Sequence, residues 1–275
     1  MTSAASNLSQ RFPQKRAFIT GAASGLGLAC AEILAREGWQ LFLTDVDGPR
    51  LDLIAAGFAR DGARVAAAPC DVRDADAVRA IVDAAVAAAG GLDLAIHCAG
   101  VAIAGPFHAS TPEEWAWQFD INVHGVANSC RAVIQHMARG KGGMIINIAS
   151  AASFCTGSHM SAYNASKAAV VALSESLMQE YAAYGVAVTA AMPGFFQTRL
   201  MESARGSERT LSAARRLIDT SGITAEEMAE LMLSAAARGQ THFVHPIRYR
   251  NLWRLKRLMP QRFQSLLPRL LNRGA

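Results

Sequence analysis

Residues 20–27 read Thr-Gly-Ala-Ala-Ser-Gly-Leu-Gly, directly after the β-rich run Arg16–Thr20 and at the start of a helical pattern. Glycines let the chain turn sharply at such a junction and let its backbone approach a pyrophosphate, while the helix N-terminus adds free N–H groups and a favourable dipole. The position at the first strand-to-helix junction favours nucleotide binding over an ordinary glycine-rich turn. The residues expected at the phosphates are Gly21, Ser24, Gly25, Leu26 and Gly27.

Apolar, β-rich runs of the same kind recur along the first 245 residues. Seven segments carry this pattern: Arg16–Thr20, Gln40–Thr44, Arg64–Pro69, Leu92–His97, Gly143–Ala149, Val186–Ala191 and His242–Val244. Amphipathic helical stretches separate them: Gly27–Glu37, Pro49–Arg60, Ala75–Ala89, Pro112–Arg139, Ala162–Tyr184 and Thr224–Arg238. Continuous apolar strands that alternate with helices predict an α/β fold, a Rossmann-type doubly wound parallel sheet of about seven strands with helices on both faces.

The chain shows no internal linker, repeat or low-complexity block, so a single dinucleotide-binding domain is predicted for residues 1–247. Residues 198–221 lack a strand pattern and are expected to form a helical insertion over the substrate. Residues 248–275 form a basic amphipathic C-terminal tail, predicted as two short helices broken at Pro260 and Pro268.

The net charge of +5 is concentrated in that tail, because eight Lys or Arg residues and no Asp or Glu lie between Arg248 and Arg273. A nucleic-acid-binding domain is therefore not expected. The polar N-terminus lacks the apolar core of a secretory signal, and no apolar run reaches the ~20 residues of a membrane span, so the prediction is a cytoplasmic protein. Neither the five scattered cysteines nor the pair His242 and His245 has the spacing of a metal site or a disulfide framework.

Asp45 ends the second predicted strand, 24 residues after Gly21. A carboxylate at this point accepts hydrogen bonds from the ribose hydroxyls of NAD and repels the extra phosphate of NADP. No Lys or Arg lies in the glycine loop, and none follows Asp45 before Arg50. The sequence therefore predicts NAD as the preferred cofactor, with a solvated strand-end aspartate as the alternative reading of Asp45.

The glycine spacing G-x-x-x-G-x-G resembles that of the short-chain dehydrogenase/reductase family. Four further residues stand in that family's order, namely Asn122, Ser150, Tyr163 and Lys167, with Tyr163 thirteen residues after Ser150. The resemblance runs from about Lys15 to His245. It implies an oxidoreductase that transfers a hydride between nicotinamide and an alcohol or carbonyl carbon, with these four residues as its catalytic group.

The residue types suit that chemistry. Tyr163 and Lys167 are four apart on a predicted helix, so both face the same way. A free phenol titrates near pH ~10, and a neighbouring ammonium together with the nicotinamide ring is expected to lower that pKa, so that Tyr163 exchanges a proton with the substrate. Ser150 is expected to hydrogen-bond the substrate oxygen. The resemblance further implies that Lys167 and Tyr163 contact the cofactor and that Asn122 holds a water relay to Lys167.

Other segments resemble the family's cofactor contacts. They are Asp71 and Val72 beside the adenine, Cys98, Ala99 and Gly100 after the fourth strand, and Pro193, Gly194, Phe196 and Thr198 at the carboxamide. One departure is that His97-Cys98 stands where the family usually has Asn-Asn. We expect a different local hydrogen-bond network there, with His97 as a satisfied strand-end side chain and not a catalytic base.

The residues expected around the substrate are mostly apolar: Ser150, Phe154, Met160, Phe195 and Leu200. They favour a lipophilic secondary alcohol or ketone over a sugar or acid, although several could instead pack the core. The amphipathic tail fits peripheral contact with an anionic membrane, a cap over the substrate entrance, contact with another subunit, or a packed helix with a solvated basic face. The family implies a homodimer or homotetramer. The alternatives on the same fold are an NADP-dependent carbonyl reductase and a non-catalytic nucleotide-binding sensor.

Overall fold

A seven-stranded parallel sheet forms the centre of the computed structural model, which describes residues 4–140 and 142–272. The strands are β1 (Arg16–Thr20), β2 (Gln40–Asp45), β3 (Val65–Pro69), β4 (Leu94–His97), β5 (Ile103–Ala104), β6 (Gly143–Ile148), β7 (Val186–Pro193), β8 (Arg205–Gly206) and β9 (His242–His245). The order across the large sheet is β3-β2-β1-β4-β6-β7-β9, and β5 and β8 form a separate parallel pair. The order reverses between β1 and β4, so the carboxyl ends of these two strands open the crevice where such sheets bind ligands.

Helices cover both faces of the sheet. They are α1 (Ala4–Arg11), α2 (Gly25–Arg36), α3 (Gly48–Arg60), α4 (Ala75–Ala89), α5 (Pro112–Phe119), α6 (Gly125–Arg139), α7 (Ser161–Tyr181), α8 (Glu208–Asp219), α9 (Ala225–Ala237), α10 (Ile247–Leu258) and α11 (Pro260–Asn272). The core is divided by the sheet into one cluster under α2 and α9 and another under α4, α6 and α7. The predicted fold class is therefore confirmed. Within the described ranges, none of the helices combines the length and apolarity needed to span a bilayer.

The helix predicted over Pro112–Arg139 is interrupted. A π-helical turn over Asp120–His124 separates α5 from α6 and contains Asn122. π-helical turns of this kind are rare. They contain one more residue than an α-helical turn, which changes the direction of a side chain. Here Asn122 is fully buried and faces the loop that follows β4.

The N-terminal segment and the insertion contain elements that we did not predict. Helix α1 packs on α9 through Leu8, which is fully buried. The 198–221 segment contains helix α8, as expected, but it also contributes β8, which pairs with β5. Both pairings join segments far apart in sequence, so neither has a local pattern that reveals it.

The tail packs on its own domain. Leu252, Phe263 and Leu267 are buried in the second core cluster, which matches the alternative of a packed helix with a solvated basic face. A break occurs at Pro260, the first residue of α11, where proline is favoured. The break predicted at Pro268 was wrong, because α11 continues through this residue to Asn272, with Leu267 held in the core.

Candidate active site

The glycine loop lies directly against the chain that leaves β4. Gly21 and Gly25 have positive φ angles of 66° and 53°, which side chains rarely adopt. A Cβ on Gly21 would lie 2.6 Å from the Ala99 nitrogen. Helix α2 begins at Gly25, and in the described chain no side chain caps its N-terminus, although Ser24 stands at the N-cap. The first-turn N–H groups of α2, including those near Leu26 and Gly27, are therefore open to an anion.

Asp45 stands beside this loop at the tip of β2. One of its carboxylate oxygens accepts a hydrogen bond from the Ala23 N–H at 2.9 Å, and the other accepts one from the Asp47 N–H at 3.0 Å. The side chain is half-buried. It thus puts a negative charge at the edge of the crevice, close to where a ribose would lie if a dinucleotide followed the loop.

Asp71 and Val72 follow β3 on the same side. Hydrogen bonds from Arg73 hold the Asp71 carboxylate and lower its pKa. Val72 is buried against Gly125, and its carbonyl accepts a hydrogen bond from Asn128 at 3.0 Å. The Asp71–Arg73 pairing turns this carboxylate towards the surface, while Val72 faces inwards.

The loop Cys98-Ala99-Gly100 connects the glycine loop with the catalytic candidates. The Cys98 N–H donates to the Thr20 carbonyl at 3.1 Å. A Cβ on Gly100 would lie 3.3 Å from Asn122 Oδ1 and 3.4 Å from Lys167 Nζ. Gly100 therefore brings the backbone close to both side chains.

Asn122 stabilises the next residue of that loop. Its Oδ1 accepts from the Val101 N–H at 2.8 Å, and its Nδ2 donates to the Val101 carbonyl at 2.9 Å and to Ser166 Oγ at 3.1 Å. The amide thus satisfies both backbone groups of Val101 and ties the loop to α7. It is a positioning residue in this geometry.

Tyr163 and Lys167 lie on one face of α7 and are almost entirely buried. Lys167 Nζ donates to the Ile148 carbonyl at 2.8 Å and lies 5.8 Å from the centre of the Tyr163 ring. Burial lowers the pKa of Lys167 to about 8, and the nearby Cys98 acts in the opposite direction.

The Tyr163 phenol lies in a buried environment. Burial raises the pKa of Tyr163 to about 12, although the interaction with Ser150 opposes this rise. The lowering that we expect from Lys167 together with the nicotinamide ring stays a prediction. Ser150, at the end of β6, also accepts a hydrogen bond from the Ala152 N–H at 3.1 Å.

The loop after β7 closes the crevice from the other side. Pro193 ends β7, and the Gly194 N–H donates to the His245 carbonyl at 2.7 Å. Phe196 is buried in the core. Thr198 reaches the glycine loop, because a Cβ on Gly25 would lie 3.1 Å from Thr198 Oγ1. The segments predicted to hold the two ends of a dinucleotide thus meet across one crevice.

A third apolar cluster surrounds Tyr163. It includes Met160, Phe195 and Leu200, which we predicted at the substrate and which are partly buried, together with Ala102, Ala104 and Met201 from the same segments. It also includes three residues of α8 that we missed: Leu211, Ala214 and Ile218. Leu211, Ala214 and Ile218 lie at i, i+3 and i+7 on α8, a spacing that could have identified them. Phe154 lies elsewhere. It is buried in the second core cluster beneath the tail, so the structure gives it a packing position and does not bring it to Tyr163.

His97 has the altered network that we expected, but it is not fully satisfied. Its Nδ1 lies 2.8 Å from Asn147 Oδ1 and 3.5 Å from Cys130 Sγ, while its buried Nε2 has no hydrogen-bond partner among the described residues. Burial lowers the pKa of His97 to about 4. The ring is therefore neutral at physiological pH.

Comparisons with known proteins point to one family. A family model for the short chain dehydrogenases matches residues 15–209. The 2,3-dihydro-2,3-dihydroxybenzoate dehydrogenase of Bacillus subtilis is 32% identical over 78% of this chain and 84% of that protein. The 3beta-hydroxysteroid dehydrogenase 1 of Eggerthella lenta is 32% identical over 84% of this chain and 89% of that protein.

Solved structures show the same fold. A short chain dehydrogenase/reductase from Burkholderia phymatum in complex with NAD aligns with a TM-score of 0.82 and 31% identity, covering 91% of this chain and 94% of that one. A gluconate 5-dehydrogenase from Burkholderia cenocepacia in complex with NADP and tartrate aligns with a TM-score of 0.74 and 26% identity, covering 86% and 95%.

Proposed function

Because the chain belongs to the short-chain dehydrogenase/reductase family, we propose that it is an NAD-dependent oxidoreductase that interconverts a lipophilic secondary alcohol and its ketone. The family assignment makes it an oxidoreductase of CH–OH groups that binds NAD(H) or NADP(H). The observation that carries the finer proposal is the position of Tyr163, which has Ser150 and Lys167 as neighbours and belongs to an apolar cluster.

The residues present fit a dinucleotide. The glycine backbone and the uncapped N-terminus of α2 would hold the pyrophosphate, and Thr198 with the Pro193–Gly194 backbone would hold the nicotinamide end. Asp45 would bind the adenosine ribose and Asp71 and Val72 would border the adenine. A dinucleotide bound there would supply hydride transfer from a CH–OH carbon or to a carbonyl carbon.

The protein's own residues handle the proton. Ser150 would hydrogen-bond the substrate oxygen and hold it at the Tyr163 hydroxyl, which removes or returns the proton. Lys167, whose pKa is about 8, would bind the nicotinamide ribose. Its ammonium group would also exchange a proton with neighbouring groups. Asn122 holds Val101 and thereby the Gly100 backbone beside Lys167.

Two observations support the cofactor preference and the substrate class. Asp45 presents a carboxylate at the crevice edge, which opposes a 2′-phosphate. The Tyr163 cluster contains Met160, Phe195 and Leu200, and these side chains favour an apolar ring or chain next to the reacting carbon. One relative is named a hydroxysteroid dehydrogenase, and this name fits a lipophilic alcohol.

The test of the activity is turnover. NADH formation should be followed by absorbance with a panel of secondary alcohols graded from small and polar to steroid-like. We expect turnover that increases with the apolar character of the alcohol and is lost by at least a hundredfold in Tyr163→Phe, with NAD binding unchanged. NAD binding without turnover on any member of the panel, or full activity of Tyr163→Phe, would contradict the proposal and favour a nucleotide-binding sensor.

The cofactor preference is tested separately by titration of NAD and NADP. We expect NAD to bind about tenfold more tightly than NADP or better. Asp45→Ala should reduce this ratio of affinities roughly tenfold, because a charge that repels the 2′-phosphate is removed. Asp52→Ala, an exposed carboxylate on α3, is the matched control. Tighter binding of NADP by the parent protein would establish the NADP-dependent alternative.

We also propose a homodimer or homotetramer that associates through the α5–α6 and α7 surfaces, as the family's enzymes are commonly oligomeric. Sedimentation equilibrium of the full-length protein tests this. A monomer at micromolar concentration would overturn it.

A further inference from the structure

The outer edge of the sheet carries a surface pocket that is not lined by Ser150, Tyr163 or Lys167. Strand β9 is the last strand of the sheet, with α9 before it and α10 after it. These three elements enclose a pocket of about 310 Å³. We call it the arginine pocket, and its polar and aromatic lining is Arg238, Arg250, Arg254, Gln240, His242, His245, Phe243 and Trp253.

The three arginines that line the pocket come from two helices, and Arg238 also donates a hydrogen bond to Ser234 Oγ on α9. Arg250 and Arg254 lie one turn apart on α10 and therefore share a face, while Arg238 follows the last turn of α9. Within the described residues, neither Arg250 nor Arg254 has a carboxylate oxygen within 4.0 Å. Like charges at this spacing repel one another, so the pocket concentrates positive charge that the chain does not neutralise.

The acidic side chains near the pocket interact with its histidines. His242 Nε2 lies 2.8 Å from Glu175 Oε1. Burial lowers the pKa of His245, Glu227 opposes this change, and Arg250 adds to it. The pocket lining itself contains no Asp or Glu.

The aromatic wall is held in place. The rings of Trp253 and His242 lie 5.5 Å apart, and the Arg257 guanidinium lies over the outer face of Trp253 at 5.0 Å. A rigid wall beside convergent guanidinium groups is a suitable receptor for a compact anion, because Arg binds phosphate oxygens in a bidentate manner.

We propose that the arginine pocket is a binding site for a phosphate monoester group, held by Arg238, Arg250 and Arg254. The group can belong to a soluble metabolite or to a lipid headgroup. The lipid source has a further observation beside it, since α10 ends in Leu258, whose side chain is 81% exposed, and Ile247 at its start is 51% exposed. Apolar side chains next to a phosphate site suit the surface of an anionic bilayer.

The first arm of the test uses soluble ligands. Calorimetric titration of glycerol phosphate and inorganic phosphate is performed on protein saturated with NAD, so that the glycine loop does not contribute. We expect binding that weakens at least tenfold in the double variant Arg250→Gln/Arg254→Gln. Arg262→Gln removes one charge from the tail outside the pocket and should retain binding within twofold.

The second arm uses vesicles of phosphatidylcholine with and without phosphatidic acid, in sedimentation at physiological salt. A loss of sedimentation in the double variant, but not in Arg262→Gln, identifies a lipid as the source of the phosphate. Binding of the soluble esters alone identifies a free metabolite.

Two results would overturn the proposal. One is that neither arm shows binding that the double variant weakens, even if the double variant changes the oligomeric state. The other is an equal loss in Arg262→Gln, which would mean that the tail attracts anions through diffuse charge. Circular dichroism and the NAD affinity of each variant confirm that the protein remains folded.

Discussion

The carboxyl ends of the central strands hold two buried bases that behave differently. In the catalytic cluster, Lys167 donates a hydrogen bond to the Ile148 carbonyl and has a pKa of about 8. In the histidine network, His97 pairs one ring nitrogen with Asn147 and has a pKa of about 4. Burial lowers both pKa values. The pKa of the lysine nevertheless stays above neutral pH, while that of the histidine falls well below it.

The difference follows from where each nitrogen lies. Lys167 is carried on a long flexible side chain whose Nζ stands next to Gly100, at the crevice. The rigid ring of His97 is enclosed between β6 and α6, and its Nε2 has no hydrogen-bond partner among the described residues. A base that is to move a proton needs access to the reacting groups, and Lys167 lies closer to the crevice than His97 does. The comparison therefore favours Lys167 as the base that takes part in the chemistry, which stays a prediction.

The largest expected effect is that of Lys167→Met on turnover. This change removes the ammonium beside Tyr163, so kcat should fall by roughly 10²- to 10⁴-fold, the usual contribution of a positioned acid–base group. The measurement is NADH formation at saturating NAD with the best alcohol of the panel. Lys15→Met, far from the crevice, is the control and should retain full activity. Retention of more than a tenth of kcat in Lys167→Met would remove the distinction between the two bases.

The second effect concerns stability at acidic pH. The pKa of His97 falls from its ordinary value of 6.5 to about 4, so between these values the unfolded chain binds a proton that the folded chain does not. The free energy of unfolding should therefore decrease as the pH falls from 6.5 to 4, by about 3 kcal/mol from this residue, and then stay constant below pH 4.

Urea unfolding of the parent protein and His97→Asn across this range measures that contribution. The parent should lose about 3 kcal/mol more than the variant, because asparagine does not titrate. His108→Asn, an exposed histidine, should follow the parent. Parallel curves for the parent and His97→Asn would show that His97 is not held neutral by burial.

The two regions also differ in how far the sequence predicted them. The strands and the cluster of Asn122, Ser150, Tyr163 and Lys167 depend on local runs of apolar residues and on a linear motif, and the structure brings these residues together. The unpaired Nε2 of His97 depends on side chains from β6 and α6 that pack around it, and no local pattern encodes that contact. The same reason explains why α1, β8 and the π-helical turn at Asn122 were missed, since each is stabilised by a segment distant in sequence.

The smallest expected effect is on the free energy of unfolding, and it concerns two buried asparagines, one in each region. Asn122 satisfies both backbone groups of Val101, and Asn147 bonds His97 and Ser174. Asn122→Ala and Asn147→Ala should each reduce the free energy of unfolding by about 2 kcal/mol, because each leaves buried polar groups without a partner. Urea unfolding at pH 7 measures this loss.

The activities of these two variants then distinguish the regions. Asn122→Ala releases the Gly100–Val101 backbone beside Lys167, so kcat should fall by at least tenfold. The pH dependence of turnover should also shift, because the surroundings of Lys167 change. Asn147→Ala leaves the crevice intact and should keep kcat within about threefold, since a comparable loss of stability by itself leaves the folded population nearly complete. Equal losses of kcat would mean that the His97 network supports catalysis as directly as Asn122 does, and that burial alone does not separate the structural base from the chemical one.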